Sequence, residues 1–438
     1  MSTAPRTIEV FRQIPGGDNR WVAVGLYLLP RPQKPGVFVY HEDYDGPPLA
    51  PSLDYRMGQR EFVHLPQGNP NLRGPQADDL HPVFAQALPG QWGELVLASH
   101  SAIYARSTPA EKLFMLGDWQ SGGLRFNASD IDIDHYVETF EALRTLQRRV
   151  DEFISRYASE KVCPFALGRD KYRWALATHG GAQPKAAYVD DMGECYVAKF
   201  PRDILGTYPE ARVEASLCEV SKRAGLNTAD TTLISNADNS SILLSRRFDV
   251  DDRATILHTV SAAAAIENPK NDYSDLVGFA RQYSADPERD VEEIFGRMVL
   301  NRAVNNTDDH LGQWVFIQDE RGDWSLSPNI DIMVTDLDLS GRPSPHKLAM
   351  LGDHEPPLTA SWIVRSASSF GIEQSRASEI AQRVLSAVLE FPQIARENGV
   401  DPQSLAESLE PAMALAAAER ALRALREAEA ARSAAPGA

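Results

Sequence analysis

The chain has 438 residues, of which 43% are hydrophobic and 24% charged, and its formal net charge is −17. These values predict a globular protein of two or three domains, and the negative charge disfavours direct binding of nucleic acid. Three cysteines without a close pair argue against a zinc site or a disulfide framework. No apolar run approaches the ~18 residues that span a bilayer, and the first residues lack a signal-peptide pattern. We therefore expect a cytoplasmic protein without a membrane segment.

Strands are predicted at the start of the chain, where branched and aromatic residues alternate between glycine and proline turns. They cover 7–11, 21–28 and 37–40, and the region 42–91, rich in proline, glycine and charge, is expected to be mostly loop. The other predicted elements are helices at 81–88, 110–116, 134–158 and 208–224, a hairpin at 186–189 and 195–200, and strands at 231–235 and 241–245. From about residue 254 onward the pattern is mainly helical.

The densest polar cluster is Asn-Asn-Thr-Asp-Asp-His-Leu-Gly-Gln at 305–313, after a helical pattern at 292–304. Asp308 and Gln313 have the spacing of the base aspartate and the metal-binding asparagine in a kinase catalytic loop. Asp331 lies 331 − 308 = 23 residues further on, where a kinase has its second magnesium ligand. The structural alternative is a turn, rich in Asn and Asp, that caps the helix.

Two features upstream fit the same chemistry. Thr-His-Gly-Gly-Ala-Gln-Pro-Lys at 178–185 has glycines that let a backbone approach a phosphate, although an ordinary turn has the same composition. Lys199 follows Gly181 by 199 − 181 = 18 residues and resembles the kinase strand lysine that pairs with nucleotide phosphates. The alternative for Lys199 is a charge on an edge strand. Glu214, on the next predicted helix, is either its ion-pair partner or an ordinary exposed glutamate.

Together these motifs resemble the HipA-like serine/threonine kinases, the toxin components of bacterial toxin–antitoxin modules. The resemblance extends over most of the chain and is most specific at Asn306–Leu311. Its further matches are Leu80–Gly93, Leu116–Phe126, Gly180–Lys185 and Arg247-Phe248-Asp249.

The resemblance implies an α+β, protein-kinase-like bilobal fold. A β-rich N-terminal subdomain would cover residues 1–130, and a linker helix with the small β-rich nucleotide lobe would cover 131–248. A helical C-terminal lobe with the catalytic loop would cover 249–438. It also implies ATP and Mg²⁺ as cofactors and growth inhibition regulated by autophosphorylation.

Roles carried over from the family fall on particular residues. Asp308 would be the catalytic base, Gln313 and Asp331 would hold Mg²⁺, and Lys199 would bind phosphate. The nucleotide loop would comprise Thr178, His179, Gly180, Gly181 and Ala182, with Thr178 as the candidate for autophosphorylation. Phe248 would lie near the adenine, and His310 is a further cofactor-binding candidate that would orient the catalytic loop.

Two positions depart from the family pattern: Gln313 replaces an asparagine, and Arg246 stands where a glutamate is usual at the hinge. These departures favour the alternative of a pseudokinase that binds nucleotide or protein with little phosphotransfer. A second alternative is a metal-dependent hydrolase built on Asp308, Asp309 and His310. His346 and His354 are expected to be surface or packing residues, and Trp92 is expected in a core.

Partners are implied by the family as well. A small helix-turn-helix antitoxin of the HipB type would supply DNA binding, so that the chain itself needs none. Some family members act on aminoacyl-tRNA synthetases, which makes a protein substrate of that kind an expectation here.

Overall fold

The computed structural model describes residues 7–15, 20–29, 35–64, 80–100, 102–116, 122–126, 143–155 apart from 146, 149 and 153, 181–201, 209–235, 241–335 and 344–434. The chain divides into two compact units, the first comprising Met1–Gly206, Ile234–Asn268 and Val315–Trp324, the second Thr207–Leu233, Pro269–Trp314 and Ser325–Ala438. In the described ranges, no helix has both the length and the apolar character needed to cross a bilayer. The predicted boundaries near residues 130 and 248 stay predictions.

A five-stranded antiparallel sheet begins the first unit. Its strands are β1 (Thr7–Gln13), β2 (Trp21–Leu28), β3 (Gly36–Tyr40), β4 (Glu61–His64) and β5 (Leu124–Phe126), in the order β4-β3-β2-β1-β5. Alternate residues such as Ile8, Val10 and Phe38 point into one buried cluster, as the period of a half-buried strand requires. The three predicted strands are confirmed. β4 was not predicted and lies in the region 42–91 that was expected to be mostly loop. Its four residues are too few to show a strand pattern in the sequence.

The end of β1 is polar and yet buried. Arg12 Nη1 donates a hydrogen bond to Gln318 Oε1 at 2.7 Å, and Gln13 Oε1 accepts one from the backbone N–H of Ile256 at 2.6 Å. Gly123, just before β5, approaches the same region so closely that an added Cβ would lie 2.6 Å from the Leu257 carbonyl oxygen. Gly123, in the matched stretch Leu116–Phe126, is therefore required for close packing, because a side chain would not fit there.

The second sheet contains the hairpin that follows the glycine loop, residues 178–182. It consists of β6 (Lys185–Val189), β7 (Cys195–Lys199), β8 (Thr231–Ser235) and β9 (Ser241–Arg246), in the order β6-β7-β9-β8. Its apolar face forms a cluster with Trp92, Leu143 and Val150. The hairpin and both later strands are confirmed, as is the core position of Trp92. The described residues between 143 and 155 are helical, as predicted for 134–158.

A third sheet has the order β10-β11-β12, with strands β10 (Thr259–Ser261), β11 (Val315–Gln318) and β12 (Trp324–Leu326). The helices are α1 (Pro82–Ala85), α2 (Gln91–His100), α3 (Ala102–Arg106), α4 (Pro109–Leu116), α5 (Glu210–Arg223), α6 (Ala262–Ala265), α7 (Tyr273–Tyr283), α8 (Pro287–Val304), α9 (Ala360–Ser369), α10 (Gln374–Leu389), α11 (Phe391–Glu397), α12 (Pro402–Ser404), α13 (Glu410–Ala412) and α14 (Leu415–Ala434), with a π-helical turn at Leu405–Leu409. The predicted helix at 81–88 is only one turn long, and Trp92, predicted to lie between helices, is inside α2.

Helix α8 is the centre of the second unit. Asp286 caps its first turn by accepting a hydrogen bond from the Arg289 N–H at 3.2 Å, and Pro287 occupies the first helical position. The helix is buried on most of its circumference and packs against α7 and α10, which is typical of a helix inside a core. The catalytic-loop sequence begins at its carboxyl end.

Stability is expected to fall in mild acid because of His258. This side chain is 1% exposed, its Nε2 contacts the Leu49 carbonyl oxygen at 2.7 Å, and burial lowers its pKa from 6.5 to about 3. The folded protein keeps His258 neutral while the unfolded chain binds a proton below pH 6.5, so stability present above that pH is lost as the pH falls. At pH 5 the loss is about 2 kcal/mol.

The measurement is urea unfolding of the wild type and His258→Gln at a series of pH values. Glutamine keeps an N–H donor for Leu49 and does not titrate, so the variant should lose less stability between pH 6.5 and 5. Equal losses in both proteins would contradict this assignment.

Candidate active site

The candidate catalytic loop starts with a helix cap. Asn305 follows α8 with φ 53°, in the left-handed region that asparagine tolerates. Its side-chain amide donates to the Ala412 carbonyl, and its Oδ1 accepts from Arg302 at 2.9 Å. The structural alternative of a capping turn therefore applies to Asn305, but it does not account for the residues that follow.

Asp309 is the buried anchor of the loop. Its side chain has no exposed surface and accepts four hydrogen bonds: from Tyr273 Oη at 2.9 Å, His346 Nδ1 at 3.1 Å, the Lys347 N–H at 3.0 Å and the Leu348 N–H at 3.3 Å. Burial, and then the adjacent Asp309 carboxylate, raise the pKa of Tyr273 well above 10, so the phenol stays a donor. Asp309 thus ties the loop to the segment 346–348.

Asp308, the next residue back, has the opposite environment. Its side chain is 54% exposed. Oδ1 contacts the ammonium group of Lys347 and lies 3.9 Å from His310 Nε2. An accessible carboxylate on a backbone fixed by its buried neighbour has the character that a general base needs.

His310 is held in one tautomer. Its Nδ1 accepts a hydrogen bond from the Gly312 N–H at 3.0 Å, so in the neutral ring the proton is on Nε2, on the side of Asp308. Burial lowers the pKa of His310 below 6.5, an effect opposed mainly by Asp308 and also by Asp309 and Asp331. A neutral ring that orients the loop agrees with the shaping role predicted for it.

The predicted magnesium ligands are on two different segments of the second unit. Gln313 is half-buried and ends a 3-10 turn at Leu311–Gln313. Asp331 has φ 54°, a conformation that costs energy for an aspartate and is often found at functional sites. Its influence on the pKa of His310 places its charge near the loop. The shared role of Gln313 and Asp331 as magnesium ligands stays a prediction.

The hydrolase alternative finds no support. In the parts of the chain that the structure describes, no group of three or more His, Cys, Asp or Glu side chains could hold a metal ion. Asp309 in particular cannot join Asp308 and His310 at a metal, because its oxygens are buried and occupied by the four donors named above.

In the first unit, the described part of the glycine loop begins at Gly181. This residue has φ 93°, and its carbonyl accepts a hydrogen bond from the Trp92 N–H at 3.1 Å. Gly181 and Ala182 are exposed. Thr178, His179 and Gly180 lie outside the described residues, so their positions in the loop stay predictions.

Lys199 is not an edge-strand charge. It is 4% exposed on β7, which pairs with β6 on one side and with β9 on the other. The register places Lys185, 5% exposed, directly opposite Lys199. Two cations at one cross-strand pair repel each other, unless anions compensate them. Glu214, the predicted partner of Lys199, is 2% exposed on α5 and so is not an ordinary exposed glutamate.

The hinge motif is fixed by an ion pair that brackets Phe248. Arg247 binds Asp249 through two hydrogen bonds of 2.9 and 2.8 Å. Phe248 between them is half-buried. Arg246, the residue that departs from the family pattern, pairs with Glu194 at 2.5 Å.

Sequence reasoning missed four residues of these clusters: Lys347, Lys185, His346 and Tyr273. His346 was expected to be a surface or packing residue, but it is 4% exposed and its Nδ1 binds Asp309. Lys185 was part of a quoted motif without a role. The signal for Lys185 was available, since alternation on the hairpin puts it opposite Lys199. Lys347 had no local signal.

Comparisons with known proteins agree with the resemblance. Residues 177–390 match the family model of the HipA-like C-terminal domain. HipA of Shewanella oneidensis MR-1, solved as a complex with HipB and operator DNA, superimposes with a TM-score of 0.63 at 14% identity, over 96% of this chain and 98% of that one. The Helicobacter pylori proinflammatory kinase CtkA gives a TM-score of 0.35 at 12% identity, over 56% and 95%. No curated protein matches the sequence.

The predicted fold class is confirmed, because the likeness to Shewanella HipA covers nearly the whole of both chains. The family match covers the glycine loop, Lys199, the hinge and the catalytic loop. The protein therefore has a kinase-like α+β fold similar to that of Shewanella HipA, and its residues 177–390 match the HipA-like C-terminal domain.

Proposed function

We propose that the protein is an ATP- and Mg²⁺-dependent serine/threonine kinase that acts as the toxin of a bacterial toxin–antitoxin module. The observation that carries this proposal is the contrast between two consecutive carboxylates. Asp309 is buried and anchors the loop, and Asp308 is exposed beside Lys347 and His310. A loop built in this way presents one solvent-accessible carboxylate to a substrate.

Asp308 acts as the general base. It accepts the proton of the acceptor hydroxyl, whose oxygen then forms a bond to the γ-phosphorus of ATP. The bond from that phosphorus to its bridging oxygen breaks, and the electron pair leaves with ADP. His310, neutral and fixed in its tautomer, keeps the loop in place around the base.

The residues of the first unit bind the nucleotide. Lys199 and Lys185, buried and opposite each other, fit the need of a triphosphate for positive charge, and the loop at 178–182 would supply backbone N–H groups. Phe248 would lie near the adenine. Thr178 is the candidate site of autophosphorylation, which would regulate the enzyme.

Mg²⁺ is compatible with the donors present. Carboxylate and amide oxygens are the ligands it prefers, and Asp331 and Gln313 supply one of each. When bound, the ion neutralises phosphate charge. Glutamine places its amide oxygen one methylene further from the backbone than the family's asparagine does, so we expect weaker metal binding than in the family.

The experiment is incubation of the protein with γ-labelled ATP, with and without Mg²⁺, alongside a measurement of ATP binding. A kinase transfers label to serine or threonine only when the metal is present. Binding without transfer would establish the pseudokinase alternative, which the departures at Gln313 and Arg246 favour. Neither binding nor transfer would refute both.

We also propose a HipB-like helix-turn-helix antitoxin as partner. The support is the fold shared with a HipA that was solved with HipB and operator DNA, and a net charge of −17 suits a basic partner at an operator. Co-expression with the neighbouring open reading frame should relieve growth inhibition, and its failure to do so would count against this partner. Phosphoproteomics after induction would test an aminoacyl-tRNA synthetase as substrate.

A further inference from the structure

Lys347 is bound to the candidate base although 39 residues separate them in sequence. Its ammonium group contacts Asp308 Oδ1, and each side chain is 54% exposed. An exposed ion pair of this kind adds little to stability. Its presence at a catalytic carboxylate therefore calls for a chemical reason.

The backbone of Lys347 is fixed by buried groups. Its N–H donates to Asp309 Oδ1 at 3.0 Å and lies 3.2 Å from the Thr307 carbonyl oxygen, and the next N–H, of Leu348, donates to the same Asp309 oxygen at 3.3 Å. On the side of Lys347 and Leu348, these bonds use backbone atoms alone. The backbone of Lys347 is thus held beside the candidate catalytic loop, and its exposed side chain can change rotamer.

Resting on the kinase function proposed above, we infer that Lys347 is a catalytic residue of phosphoryl transfer. A base must lie within about 3 Å of the hydroxyl proton it accepts. A cation bound to one oxygen of Asp308 is therefore next to the place where the acceptor oxygen meets the γ-phosphoryl group. Negative charge is spread over the phosphoryl oxygens in the transition state, and Lys347 stabilises it there.

The properties of lysine suit this role. The ammonium group is a compact charge on a flexible stem with three donors. It can keep one donor on Asp308 and direct another to a phosphoryl oxygen. Lys199 and Lys185 are buried on the hairpin of the first unit. Lys347, in contrast, is exposed and belongs to the second unit, as Asp308 does.

The test uses the full chain and measures transfer from ATP for Lys347→Met and Lys347→Arg. Methionine keeps the length and removes the charge, and we expect kcat to fall about 10²- to 10³-fold, the usual effect of removing one group that stabilises a transition state. The KM for ATP and the unfolding temperature should stay unchanged, because the bonds to Asp309 are made by the backbone. Arginine should recover part of kcat.

The matched control is Lys222→Met, which removes another lysine of the second unit, paired with Asp230 at 2.8 Å. It should leave kcat unchanged. Active wild type together with a Lys347→Met variant of normal kcat would overturn this inference alone. A variant with raised kcat would also overturn it, since Lys347 would then restrain the base. An inactive wild type would refute the proposed kinase function and this inference with it.

Discussion

Asp308→Ala should lower the rate of phosphotransfer about 10³-fold, the usual contribution of a general base. The side chain is 54% exposed, contacts the ammonium group of Lys347 and lies 3.9 Å from His310 Nε2, so its removal disturbs no buried group. We therefore expect the unfolding temperature and the binding of Mg²⁺-ATP to stay at wild-type values. Transfer of label from ATP, thermal unfolding and nucleotide binding are measured on the same preparation.

The matched control is Asp230→Ala, another aspartate of the second unit, whose side chain is 71% exposed in a surface ion pair with Lys222. It should leave the transfer rate unchanged. Label persisting at the wild-type rate in Asp308→Ala would assign the base to another residue. A loss of activity accompanied by unfolding would show that the carboxylate supports the fold, which its exposure argues against.

The candidate active-site motif could be proposed from the sequence because its residues are close to one another along the chain. Asp308, His310 and Gln313 lie within one turn after a helix, and their spacing is set by the local geometry of the loop. Asp331 follows after a single hairpin. The sequence does not distinguish Asp308 from Asp309, since both are aspartates in the same turn. Their opposite exposure depends on Tyr273 and the segment 346–348, which the fold brings there from 36 to 39 residues away.

The contrast between short-range patterns and partners distant in sequence also explains which structural elements were predicted and which were not. Strands β1 to β3 are runs of five to eight residues, rich in branched and aromatic side chains, and this composition can be read locally. Arg12 and Gln13 break the pattern at the end of β1, because their partners Gln318 and Ile256 are more than 240 residues away. Sequence patterns predict that a polar residue is exposed, unless its buried hydrogen-bond partner is already known.

Replacement of Asp309, unlike that of Asp308, should destabilise the fold. Asp309→Asn is expected to lower the free energy of unfolding by about 3–5 kcal/mol, the cost of removing one partner from a buried charged network. The amide has one acceptor oxygen in place of two and would turn its own N–H groups toward Tyr273, His346 or the backbone N–H groups of 347 and 348, all of which are donors.

The measurement is urea unfolding of Asp309→Asn beside Asp308→Asn, which makes the same chemical change one residue earlier. Tyr273→Phe removes one of the four donors and also the oxygen that accepts a hydrogen bond from Asn301 Nδ2 at 3.0 Å, so it should cost about 2 kcal/mol and set an upper limit for one bond. Phosphotransfer in Asp309→Asn should also fall, because the segment that carries Lys347 loses its anchor. Equal stability of the two Asp→Asn variants would mean that the buried network does not hold the loop. The division between an anchoring and a reacting carboxylate would then have to be abandoned.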